Sequence, residues 1–255
     1  FKFISACMGN SLEAFRLYGG ITAIGTIADI MPILDENRSI VRYGLQQLEK
    51  DCPPGISALL QLSGAKDGTI DTNVIAYQIA PRMNAAGRIR DCRVSVELLL
   101  EKDPIRAEEL ARELCDCNVE RKEKEQQVVR DIDLILAGQE PTEKIMVYAS
   151  ENWHNGVIGI AASRIAEKYY RPAILFSEHD GVVTGSARSI PDVDIYNALV
   201  KVHIDFLTFN RNYALYKSFI RVVFVFFEND NISDAGLIKQ AGNKHLIIVV
   251  KRRVH

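Results

Sequence analysis

After Pro104 the chain runs to Gly138 without another proline or glycine, and this uninterrupted stretch sets the frame for everything else. Its apolar residues keep helical spacing, which predicts a single helix over 104–137. At about 1.5 Å per residue such a helix is roughly 50 Å long. Its middle, Glu120 to Gln127 (ERKEKEQQ), is almost entirely charged or amide. A helix that is polar on all sides bridges two bodies through solvent, so the stretch reads as an interdomain strut.

The two flanks differ in character. Upstream, Ser11 reads as an N-cap, the pair Gly19-Gly20 as a break, and Ile21 to Ile30 as a small-residue helix stopped by Pro32. Helical spacing continues over Arg38–Glu49, Ile56–Leu62, Thr72–Ile79 and Val94–Leu100, while Pro81–Asp91 has no clean period and reads as an ordered loop. Downstream, Lys144–Tyr148, Ala173–Ser177 and Gly181–Ser186 read as strands. Gly156–Tyr170 reads as an amphipathic helix, and a further helix begins at Ile195 behind Asp192 or Asp194. Strands alternating with helices predict an α/β body.

Composition excludes several classes of function. The 255 residues are 47% hydrophobic and 25% charged, as in globular proteins, and contain no apolar run long enough to span a membrane. No signal peptide is evident, so the cytoplasm is the default compartment; a first residue of Phe rather than Met suggests a fragment. A net charge of −2 gives no general attraction to nucleic acid, so any such binding has to come from a local basic cluster. The five cysteines are odd in number and scattered, and they read as reduced thiols rather than a zinc site.

Three constellations carry chemistry. In Gly25-Thr26-Ile27-Ala28-Asp29-Ile30-Met31-Pro32 one carboxylate, Asp29, closes a helical segment. It reads either as a helix-end group satisfied by nearby backbone or as a ligand for Mg²⁺ or Mn²⁺, which favour carboxylate oxygens. In Pro81-Arg82-Met83-Asn84-Ala85-Ala86-Gly87-Arg88 two arginines flank an asparagine and small residues. That loop suits phosphate oxygens as well as it suits pairing with a carboxylate such as Asp91. The third constellation joins Trp153-His154-Asn155-Gly156 and the helix after it, through Ser163-Arg164, to Gly185-Ser186-Ala187-Arg188-Ser189. A glycine-led helix N-terminus with His154 at its mouth, hydroxyls and a guanidinium together favour a phosphodiester ligand.

These strings, in this order, resemble the RecJ-type exonucleases of the DHH phosphoesterase superfamily. GTIADIMP is similar to that superfamily's GT[VI]AD-x-x-P motif, and PRMNAAGR, WHNGVIGIAASR and GSARS are similar to later motifs of the RecJ type. The likeness covers roughly residues 20 to 200. It implies an α/β protein with the C-terminal part of a DHH-type core at 1–103, a connecting helix at 104–140, and a smaller DHHA1-type nucleic-acid-binding domain at 141–200. Residues 201–255 depart from the family and stay unassigned.

The implied activity is 5′-to-3′ hydrolysis of single-stranded DNA in repair and recombination, with two Mn²⁺ or Mg²⁺ ions and the DNA in a cleft between the domains. By position Asp29 matches a metal-binding aspartate. Arg82, Asn84 and Arg88 fall in a DNA-facing loop, and His154, Gly156, Ser163 and Arg164 line the cleft. Ser186, Arg188 and Ser189 match a phosphate loop in which Ala187 replaces a usual glycine. The remaining metal motifs, including Asp-His-His, do not occur here, so the expectation is a chain inactive by itself. Beyond Val200 the family's Gly-Gly-His is missing, and a frame-changed tail or a divergent C-terminal domain are both open. Two other functions stay in view: a non-catalytic nucleic-acid-binding module, and a DHH phosphoesterase acting on short oligonucleotides or cyclic dinucleotides.

Overall fold

A computed structural model describes residues 1–64, 70–179 and 182–199, together with the backbone of 221–227 and 245–251. The chain divides into two compact units, Phe1–Arg121 and Lys122–His255. The division falls inside the polar run ERKEKEQQ.

Among its described residues the first unit is helical: α1 (Lys2–Met8), α2 (Ser11–Ala28), α3 (Asp35–Lys50), α4 (Pro54–Ser63), a π-helical turn (Val74–Ile79), α5 (Ala80–Ile89), α6 (Arg93–Leu100) and the first part of α7 (Pro104–Leu136). Three expectations are corrected. The N-cap of α2 is Asn10, whose Oδ1 accepts from the Leu12 and Glu13 N–H groups at 3.1 Å each, and not Ser11. The Gly19-Gly20 pair does not break α2, because both glycines are buried where α3 packs against it. A Cβ on Gly44 would stand 2.5 Å from the Gly19 carbonyl oxygen, so small residues on both helices permit this close approach.

The third correction concerns Pro81–Asp91, read as a loop but forming α5 as far as Ile89. Proline lacks an N–H and clashes inside a regular helix, yet it is tolerated in the first turn. Here it follows the wider π turn, and the Gln78 carbonyl accepts from Arg82 Nη1 at 2.6 Å. Ala85 and Ala86 are 0% and 1% exposed, so the small residues that looked loop-like form a packing face. The core gathers Ile56, Leu59, Ile75, Ile79, Leu98, Leu110 and Leu114.

The second unit is α/β, as its alternating pattern predicts. It holds β1 (Met146–Ser150), α8 (Asn155–Tyr169), β2 (Ala173–His179), β3 (Val182–Arg188), β4 (Arg221–Phe227) and β5 (His245–Lys251), in a sheet of order β1-β2-β3-β5-β4. β1 and β2 are parallel, β2 and β3 antiparallel, and β5 is parallel to both β3 and β4. α8 packs against β2 and β3. A helical turn at 195–199 follows Asp194, whose Oδ1 accepts the Asn197 N–H at 3.0 Å. Of the unassigned tail, 201–220, 228–244 and 252–255 lie outside the described residues, as do Val200 and Gly181, the latter being the first residue of the expected third strand.

α7 also departs from expectation. It is helical throughout, but its polar middle is not solvated on every side: Glu125 is 1% exposed and pairs with Arg164, while Val128 and Ile132 are buried. The ion pair offsets part of the cost that would otherwise keep such a carboxylate in water.

Candidate nucleic-acid interface and metal position

In the first unit, α2 ends in a turn that fixes Asp29. The Ile30 N–H donates to the Ile27 carbonyl at 3.0 Å and the Met31 N–H to the Thr26 carbonyl at 3.1 Å, the paired bonds of a Schellman motif. Glycine normally occupies its left-handed position, whereas here Ile30 does, at φ 55°. The exposed Asp29 carboxylate is thereby held at the helix end, beside a hollow of about 230 Å³. That hollow is lined by Ile21, Ile24, Gly25 and Ala28 of α2, by Ala80, Met83 and Asn84 of α5, and by Leu99.

Asp29 and Asn84, 55 positions apart in sequence, therefore line the same hollow, which brings residues of the first two constellations to one place. Arg82 is half-buried and tied to the Gln78 carbonyl, while Arg88 is exposed on the same helix. Among the described residues no group of three or more His, Cys, Asp or Glu could hold a metal ion. One carboxylate beside an amide does not fit a two-ion centre. Cys52 is no candidate nucleophile, since burial, helped by the Asp51 charge, pushes its thiol up to about 11.

In the second unit the two parts of the third constellation converge. Ser186 and Arg188, two apart on β3, share one face of the sheet, and α8 lies on it. Arg188 Nε donates to Ser163 Oγ at 2.8 Å and Arg188 Nη1 to the Ala187 carbonyl at 2.9 Å; Ser163 Oγ donates in turn to the Gly159 carbonyl at 3.2 Å. The contact is close at Gly159, where an added Cβ would stand 3.0 Å from Ser186 Oγ and 3.4 Å from Arg188 Nη2 and would press on both side chains. Ala187 points to the opposite face, where its methyl joins Ile174, Ile195 and Leu199. Its departure from glycine is thus used for packing.

At the mouth of α8, Trp153 is 2% exposed, and its carbonyl accepts from Ser177 Oγ and from His179 Nε2. Next to it, His154 caps the helix: its Nδ1 accepts the Gly156 N–H at 3.1 Å, which places the ring's proton on Nε2. The helix N-terminus was expected to offer open N–H groups to an anion, and this one is taken by the imidazole.

Two sequence-predicted residues stand apart from the cluster. Arg164 is turned to Glu125 of α7, and the Ser189 hydroxyl donates to the Val193 carbonyl. Sequence reasoning missed Glu125 and also Asp133, which accepts from Lys168 Nζ at 2.7 Å and Tyr169 Oη at 2.6 Å. Neither sits in a motif, and a charge in a polar run gives no signal of its partner.

Comparison with known proteins places these features. Residues 142–205 match the DHHA1 domain. The single-stranded-DNA-specific exonuclease RecJ of Bacillus subtilis is 38% identical over 201 residues, covering 78% of this chain and 25% of that protein. The Escherichia coli protein of the same name is 35% identical over 195 residues, covering 71% of this chain and 33% of its own length. Among solved structures, RecJ from Thermus thermophilus in complex with Mg²⁺ aligns with a TM-score of 0.65 at 32% identity, covering 74% of this chain and 29% of that one. An exonuclease RecJ bound to manganese aligns with a TM-score of 0.62 at 33% identity, covering 72% and 45%. The chain thus spans about a quarter to a third of the curated relatives named here.

Proposed function

We propose that this chain, similar over most of its length to one part of RecJ and carrying a DHHA1 domain, is the single-stranded-DNA-binding portion of a metal-dependent 5′-to-3′ exonuclease. The observation that carries this reading is the cluster of Ser163, Ser186 and Arg188 around Gly159. A hydroxyl and a guanidinium on the face of β3, with a second hydroxyl on α8 beside them, are the donors that a phosphodiester backbone needs. In this reading residues 1–103 are core, 104–140 the connecting helix and 141–200 the binding domain. Arg82, Asn84 and Arg88 in the first unit, and His154, Gly156, Arg164 and Ser189 in the second, each add nucleic-acid contacts of their own unit, in a cytoplasmic protein of DNA repair and recombination.

Mn²⁺ or Mg²⁺ goes with this reading, and Asp29 would supply one ligand. The ions would activate water and neutralise charge on the phosphate, but they need further carboxylates. The chain by itself therefore binds and does not cut. Fluorescence anisotropy with labelled oligo-dT tests the first half: affinity falls as salt rises, because phosphate contacts release counterions. Arg188→Ala weakens binding by about tenfold, the loss of one charge-assisted contact. Salt-insensitive or absent binding removes the reading. Incubation with a 5′-phosphorylated oligonucleotide and Mn²⁺ tests the second half, and no nucleotide is released. Turnover abolished by Asp29→Ala would overturn it.

A further inference from the structure

Trp153 is the only tryptophan in the chain and is 2% exposed. A buried indole N–H needs an acceptor, and it donates to Asp131 Oδ2 of α7 at 2.9 Å. The other carboxylate oxygen, Oδ1, accepts from Gln127 Nε2 at 2.6 Å, so the acceptor is itself held in place. The Trp153 carbonyl is fixed too, by Ser177 and by His179 Nε2 at 2.9 Å. Both ends of one residue are therefore tied down, and the next residue is His154, the cap of α8. Two further acidic residues of α7 hold α8 itself: Glu125 pairs with Arg164, and Asp133 with Lys168 and Tyr169.

We infer that Asp131 is a positioning residue for the nucleic-acid site: by accepting the Trp153 indole N–H it sets the corner between β1 and α8, and through it His154 and the first turn of α8. Asp131 touches no ligand. It acts through Trp153, and it lies outside the motifs that resemble the family. The inference rests on the single-stranded-DNA reading above, and the experiment separates the two.

Oligo-dT affinity is measured on the whole chain for Asp131→Leu, Asp131→Asn and Trp153→Phe, and tryptophan emission for the two Asp131 variants, since Trp153→Phe removes the only indole. In Asp131→Leu the emission shifts, because the only indole loses its partner, and affinity falls by about tenfold. Asp131→Asn keeps an oxygen acceptor and restores both. Trp153→Phe keeps an aromatic ring but removes the donor, so it weakens binding similarly, and adding Asp131→Leu to it costs nothing more.

Unchanged affinity in Asp131→Leu overturns the inference, whether or not the emission moves. So do an Asn variant as weak as Leu, and additive losses in the double variant. If Asp131→Leu lacks a native circular dichroism spectrum, Trp153→Phe decides alone, and unchanged affinity there overturns the inference. Failure of the unsubstituted chain to bind oligo-dT instead removes the DNA reading, and the positioning role falls with it.

Discussion

At Ile30 a β-branched side chain occupies the left-handed position that glycine normally takes, one residue after Asp29. Such a conformation costs an L-residue about 1–2 kcal/mol, and Ile30 recovers little of it by burial, being 72% exposed. Replacement by glycine relieves the strain but frees the unfolded chain, which offsets roughly half of the gain. Ile30→Gly therefore raises stability by up to about 1 kcal/mol, measured by urea denaturation. Gly159 is the opposite case, a residue whose lack of side chain is used. Gly159→Val pushes branched carbon into Ser186 and Arg188, whose atoms already lie 3.0 and 3.4 Å from an ideal Cβ. Oligo-dT affinity should fall about tenfold with the far-ultraviolet spectrum unchanged, since the loss is one of geometry at a charge-assisted contact.

α7 and α8 are joined by Asp133, and here pH gives a handle. Burial at Asp133 alone would raise its carboxyl, but hydrogen bonds from Lys168 and Tyr169 outweigh it and hold the group below the usual carboxylate range. A depressed folded-state value contributes stability above the unfolded value of about 4, which is lost as pH falls through the folded value. Thermal melts from pH 5 downward should therefore drop more steeply for the natural chain than for Asp133→Asn. The pair is half-exposed, so the difference is a fraction of the roughly 1 kcal/mol ceiling for surface pairs. The same scale explains why α5 was hidden in sequence. Pro81–Asp91 has no clean apolar period to announce a helix, and the preceding π turn makes room for the proline.

Taken whole, the chain has two units and one acidic group at the expected metal position. Among the described residues Asp29 has no second and third ligand gathered around it. Millimolar Mn²⁺ should accordingly shift the melting temperature by less than about 1 °C, since stabilisation follows the logarithm of ligand over dissociation constant. A larger shift in differential scanning fluorimetry, lost in Asp29→Ala, would mean a site that these residues do not form. Among the described residues, no helix is long and apolar enough to cross a membrane.

The sequence by itself determined the long helix, the α/β alternation after it and the motif order, because these rest on local periodicity and on residue types. Asp29, His154, Ser163, Ser186 and Arg188 stand out for a similar reason: each sits in a short string of polar and small residues. Tertiary structure alone decided which of them meet. Asp29 and Asn84 line one hollow between α2 and α5, and Arg188 bonds Ser163 across β3 and α8. Arg164 turns away to Glu125 and Ser189 to its own turn. It also revealed Asp131, whose worth depends on a buried indole 22 residues away. A hydrogen bond between distant segments leaves no period in the chain, so only packing discloses it.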